Sequence, residues 1–148
     1  MADSRGSAGG AFHLEPLDAQ RLPQACPDLH DWPRSWHVEP ADMPVGQKIV
    51  QLLTPFLLHL LDRGLAKATV CRHRDNLWSL GGELIRRRYD NDELARQDVK
   101  DAIGQLIGRD GGPLMWPRIT EAEQDSLDAT CRKLDRFWRA AAAAHASS

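Results

Sequence analysis

Residues 55–84 read PFLLHLLDRGLAKATVCRHRDNLWSLGGEL, and the fold turns on this stretch. Phe56, Leu57, Leu60 and Leu61 stand at helical spacing up to Gly64, a residue type that ends helices in the left-handed conformation. Beyond it Thr69 is placed to cap a second helix, along which Val70, His73, Leu77, Leu80 and Leu84 recur every three or four residues. Two apolar stripes joined by a glycine turn predict a helical hairpin. Gly81 and Gly82 weaken the second helix by roughly 1 kcal/mol each relative to alanine. Such a pair leaves room for another helix to approach closely, a packing role and not a functional one.

The first helix reaches back to about Pro44, which suits a first helical position, through Ile49 and Leu53. At Pro55 either this helix kinks, or Thr54 caps a fresh one. On the other side of the hairpin, a short turn at Glu93 to Arg96 leads to a third helix over Asp98 to Ile107. Gly108, Gly111, Gly112 and Pro113 break the pattern. A capping box, Thr120-Glu121-Ala122-Glu123, opens a last helix carrying Leu127, Cys131, Leu134 and Trp138 on one stripe. No strand period occurs. The expectation is an all-α bundle of four to five short helices over residues 44–140, with a frayed end at 141–148.

Residues 1–43 contain five of the nine prolines and read as a Pro-rich tail, disordered or loosely docked. Trp32 and Trp36 read as residues that dock it on the folded part, the alternative being a partner-binding aromatic motif. The spacing of His13, Cys26, His30 and His37 matches no standard zinc pattern. The three cysteines, Cys26, Cys71 and Cys131, form neither a disulfide framework nor a CxxC pair, which predicts reduced thiols in a cytoplasmic protein. No apolar run is long enough to span a membrane and no signal peptide is expected, so no membrane partner is expected.

Charge is unevenly distributed along the 148 residues, whose net charge is −2. Residues 1–43 hold three bases against seven acids, whereas residues 63–88 hold seven bases against Asp75 and Glu83. A local basic patch at a helix start, with free N–H donors and a partial positive charge, suits phosphate. Lys67 and Thr69 flank that start, Arg72 and Arg74 extend it, and Asn76 suits an adenine edge. The alternative is a solvated helix face, with Arg72 beside Asp75 and His73 a hydrogen-bonded core residue. Arg86, Arg87 and Arg88 read either as a second phosphate patch or as an ordinary basic last turn.

The motif Leu-x-x-x-Gly-Leu followed by Thr-x-x-x-His-x-x-x-Leu-x-x-Leu, LLDRGLAKATVCRHRDNLWSL at residues 60–80, resembles the N-terminal core-binding, or SAM-like, domain of phage integrases and other tyrosine recombinases. The likeness extends more weakly through DVKDAIGQL and covers roughly residues 46–140. His73 stands where that family commonly has an aromatic. The resemblance implies a domain that clamps double-stranded DNA, with contacts from Lys67, Thr69, Arg72, His73, Arg74 and Asn76. By a looser transfer it adds Arg132, Lys133 and Arg136 on the last helix.

No catalytic residues are expected. The single tyrosine, Tyr89, lies too early for a recombinase nucleophile, and the chain ends after the fourth expected helix. P-loop, GxGxxG, HExxH and Gly-x-Ser-x-Gly motifs are lacking, and neither cofactor nor metal is expected. The expectation is therefore a stand-alone DNA-binding module that does not cut, an accessory or truncated mobile-element protein. The alternative is a helical protein-interaction module, docking or self-associating through Phe137 and Trp138 at the C-terminal helix.

Overall fold

The computed structural model describes residues 16–146. Among them the order is α1 (Pro16–Ala25), a 3₁₀ turn (Leu29–Asp31), α2 (Trp32–Trp36), α3 (Asp42–Asp62), α4 (Lys67–Arg88), α5 (Asp92–Arg96), α6 (Val99–Leu106) and α7 (Glu121–Ala146). The all-α expectation holds, with more helices than the four to five expected. Gly108 and Gly111 form an isolated bridge, and no strand occurs among the described residues.

The α3–α4 hairpin is the centre of the bundle. Gly64 takes φ +69°, the left-handed conformation that a residue with a Cβ adopts only at a steric cost. Ile49, Leu53, Phe56, Leu57 and Leu60 of α3 meet Leu77, Leu80, Leu84 and Ile85 of α4 in one core, which Ile103 of α6 and Leu127, Cys131 and Leu134 of α7 complete.

Several boundaries differ from expectation. α3 starts at Asp42, ahead of Pro44, and continues unbroken past Pro55. Thr54 caps nothing; its hydroxyl donates to Val50 O one turn back. α4 starts at Lys67 behind Ala66, which gives no side-chain cap, so Thr69 is a first-turn residue. Leu65 and Val70 occupy the positions of a hydrophobic staple, with Leu65 packed on the core and Val70 buried, and apolar burial favours this earlier start over a Thr69 cap. The capping box does form: Glu123 N donates to Thr120 Oγ1 (3.0 Å), and Thr120 N donates to Glu123 Oε1 (2.8 Å). α7 then continues through Ala146, a correction to the frayed end at residue 141. Its alanines are strong helix formers and extend it as an exposed helical arm.

The larger correction concerns the Pro-rich tail. Residues 1–15 lie outside the described residues, but from Leu22 to Asp42 the segment is built into the protein. Leu22, Cys26, Leu29, Trp32 and Trp36 are all core residues, and Trp32 and Trp36 lie with ring centroids 5.7 Å apart. Trp36 lies against α4 where that helix has no side chains: a Cβ on Gly81 would sit 2.5 Å from Trp36 Cη2, and one on Gly82 3.2 Å from Cδ1. The indole N–H donates to Trp78 O (3.0 Å), and Trp78 Nε1 returns a bond to Ser35 Oγ (2.9 Å). The Asp42 carboxylate closes the far end of this segment, accepting from Val38 N, Glu39 N and the Tyr89 hydroxyl.

Gly81→Ala should therefore destabilise the protein by about 1–3 kcal/mol, because a methyl there collides with an aromatic ring that has nowhere to move. Gly104→Ala in α6, where nothing lies within 4 Å, should stabilise it by about 0.5–1 kcal/mol. Urea unfolding of the two variants checks both signs.

Candidate nucleic-acid interface

α7 crosses α4 antiparallel, and polar side chains fix the crossing. Asn76 Nδ2 donates to Ser126 O (3.0 Å), Ser126 Oγ (3.0 Å) and Thr130 Oγ1 (2.8 Å). Thr130 Oγ1 lies 2.7 Å from His73 Nδ1. His73 is 1% exposed, and its Nε2 finds no partner among the described residues. Burial, and then the positive charges of Arg72 and Lys133, pull its pKa down to about 4, so the ring is neutral near pH 7. His73 and Asn76 are thus the polar seam of the α4–α7 contact.

Other predicted contacts are also engaged within the fold. Arg74 donates through Nε and Nη2 to Asp75 Oδ1 (both 3.1 Å) and through Nη1 to Ala25 O (3.2 Å), which ties α4 to the end of α1. Arg132 Nη1 reaches Asp110 O at 3.3 Å. Thr69 is half-buried. The 86–88 run proves structural. Glu83, its side chain 1% exposed, takes Arg87 Nε at 2.6 Å, Arg86 Nη2 at 2.8 Å and Arg118 Nη2 at 3.0 Å, while Arg88 Nη1 donates to Ala95 O. Burial pushes the Glu83 carboxyl up, but hydrogen bonds from Arg86, Arg87 and Arg118 outweigh it and bring the pKa to about 2. Tyr89 donates its hydroxyl proton to Asp42, and that bond raises its pKa to about 12.

What remains is a basic face at the opposite end of α4. Lys67 and Arg72 are exposed on its first turns, and Arg63 is exposed at the hairpin turn. Lys133 and Arg136 of α7 line one cleft with Arg63, His59 and Phe137, a space of about 200 Å³. None of the side chains of Arg63, Lys67, Arg72, Lys133 and Arg136 forms an ion pair with a described residue. Arg63 and His59 are site residues that the sequence pattern does not single out, although Arg63 adjoins the Gly64 turn and belongs to the same basic stretch. A larger hollow beside Trp78, about 550 Å³, carries Asp28 and Asp75 together with Arg74 and so has no single sign.

Phe137 and Trp138 do not form a free aromatic end. Phe137 packs on Phe56 and His59, with centroids 5.5 and 4.8 Å away, and Lys100 Nζ sits 5.5 Å over the Trp138 ring. The cysteines are unpaired, and burial raises Cys26 and Cys131 to about 12. Among the described residues no His, Cys, Asp and Glu side chains gather for a metal ion, and no helix is long and apolar enough to cross a membrane. No family model, curated protein or solved structure matches the chain.

The two shifted groups define two acid windows. His73 binds a proton more readily unfolded (ordinary value 6.5) than folded (about 4), so its neutral burial favours the fold above pH 6.5, and that advantage is lost as pH falls towards 4. Glu83 contributes above pH 4.5, and its contribution is lost as pH falls towards 2. Urea midpoints measured against pH should show both slopes. His73→Phe should flatten the upper one, worth up to about 3 kcal/mol, and leave the lower.

Proposed function

We propose that this protein is a non-catalytic DNA-binding module that holds the phosphate backbone of double-stranded DNA on the face formed by the hairpin turn, the start of α4 and the middle of α7. The observation that carries the reading is a set of five cations without an ion pair, Arg63, Lys133 and Arg136 gathered on one cleft and Lys67 and Arg72 exposed on the first turns of α4. Several arginines elsewhere are neutralised, Arg86, Arg87 and Arg118 by Glu83, Arg139 by Asp135 and Arg21 by Asp62, and the other unpaired ones, such as Arg96 and Arg109, do not line the cleft that gathers Arg63, Lys133 and Arg136. Unpaired cations clustered on one face are what an electrostatic footprint needs.

The likeness of residues 60–80 to the recombinase core-binding domain supports the same partner, with the contact set shifted. His73, Arg74 and Asn76 act inside the bundle, so the backbone falls to Lys67, Arg72, Lys133 and Arg136, with Arg63 added. Binding without catalysis is supported by the chemistry of the strongly shifted groups. Glu83 is locked by three arginines, Asp42 by three donors, and His73 lies buried against Thr130.

One observation favours a protein partner as a second reading. In the 113–119 loop Leu114 is 66% exposed and Trp116 48% exposed, at the other end of the bundle from the basic face. That surface replaces the C-terminal aromatics as the place where a protein would dock.

Titration of labelled duplex DNA at two salt concentrations tests the leading reading. Affinity should fall steeply with salt, and Arg63→Ala/Arg72→Ala/Arg136→Ala should reduce the log–log slope by about one for each phosphate that is no longer neutralised. Arg96→Ala on α5, beyond the far end of α4, should leave the slope unchanged. No binding at low salt rejects the proposal.

A further inference from the structure

The cleft between α3 and α7 has a composition that duplex phosphates alone do not require. Its floor is aromatic: His59 and Phe137 lie 4.8 Å apart between centroids, and Phe56 backs both, 6.4 Å from His59 and 5.5 Å from Phe137. His59 and Phe137 are only half-buried and line the open space. Cations stand on both walls, Arg63 at the end of α3 and Lys133 and Arg136 on α7, and no acidic side chain lines the cleft. A matching ligand carries negative charge on either side of a flat apolar body. That is the phosphate–base–phosphate repeat of a single strand, whereas a duplex keeps its bases stacked inside and offers a protein ridge only phosphates and groove edges.

We propose that this cleft takes one unstacked nucleotide of single-stranded DNA, its base against the His59 and Phe137 rings and its flanking phosphates on Arg63 and on Lys133 and Arg136. The assignment rests on the DNA-binding reading and narrows it to a junction or frayed end, where duplex backbone lies on Lys67 and Arg72 and a strand enters the cleft. Stacking on aromatic rings is sequence-tolerant, since every base has a π-face, so little base preference is expected. An acidic peptide would meet the cations but has no flat body at each step to fill the ring-lined floor.

The test compares a labelled single strand of about twelve nucleotides with an abasic strand of the same length and charge, within the span of one such binding site. The wild-type chain should prefer the base-bearing strand by about tenfold at moderate salt. His59→Ala should abolish that preference while leaving affinity for duplex and abasic strand in place. His59→Phe, which keeps a ring, should retain it, and circular dichroism checks that both variants are folded. Equal binding of the two strands by the wild type overturns the proposal, as does a preference that survives His59→Ala. Tighter binding of a poly-glutamate peptide of equal charge overturns it in favour of a protein partner. Duplex binding without any base effect removes this inference alone, whereas no binding of any DNA at low salt removes the DNA-binding reading with it.

Discussion

The bundle depends on one steric match, the Trp36 indole lying on the bare surface of α4 at Gly81 and Gly82. Two glycines inside a 22-residue helix cost it roughly 2 kcal/mol of intrinsic propensity. What offsets that cost is the largest side chain in the alphabet, brought to within van der Waals contact of helix backbone and bonded by its N–H to Trp78 O. Because the ring sits there, α2 packs beside α3, and Gly46 of α3 comes so close to Pro33 that a Cβ would meet it at 2.9 Å. The segment before α3 thus closes a face of the hairpin that would otherwise expose core leucines.

On the opposite side the helices are joined by polar groups. Asn76, His73, Ser126 and Thr130 form a connected set across the α4–α7 contact, where each hydrogen bond is worth more than in water and each unmet one costs more. Such a seam specifies register, since sliding α7 by one turn would strand Asn76 and Thr130 without partners. It also fixes which α7 residues flank the hairpin turn. Lys133 and Arg136 follow Thr130 by about one and two turns, and so they emerge beside Arg63.

Charge is sorted along α4 by the same packing. At its carboxyl end Glu83 is buried and collects arginines from its own helix and from the 113–119 loop, an arrangement in which desolvation is outweighed by charge-assisted hydrogen bonds from three arginines. At its amino end Arg74 pairs with Asp75, but no acid pairs with Lys67 or Arg72. A helix that reads as basic at both ends therefore has one structural end and one end available to a partner.

The helical class, the Gly64 turn, the Thr120 capping box and the extent of α6 are all legible in the chain, because apolar period, left-handed glycine and cap chemistry are local properties. The basic stretch is legible too, as are a close neighbour at Gly81–Gly82 and docked tryptophans. That these last two features are each other's partner emerges only on folding, since residues 36 and 81 meet through packing that no local pattern encodes. Folding also separates Arg72, Lys133 and Arg136, which are unpaired, from His73, Arg74 and Asn76, which share the same basic helices but face α7 and the end of α1. Whether a polar side chain is a contact or a strut depends on what lies opposite it, and that is set by the packing of elements distant in sequence.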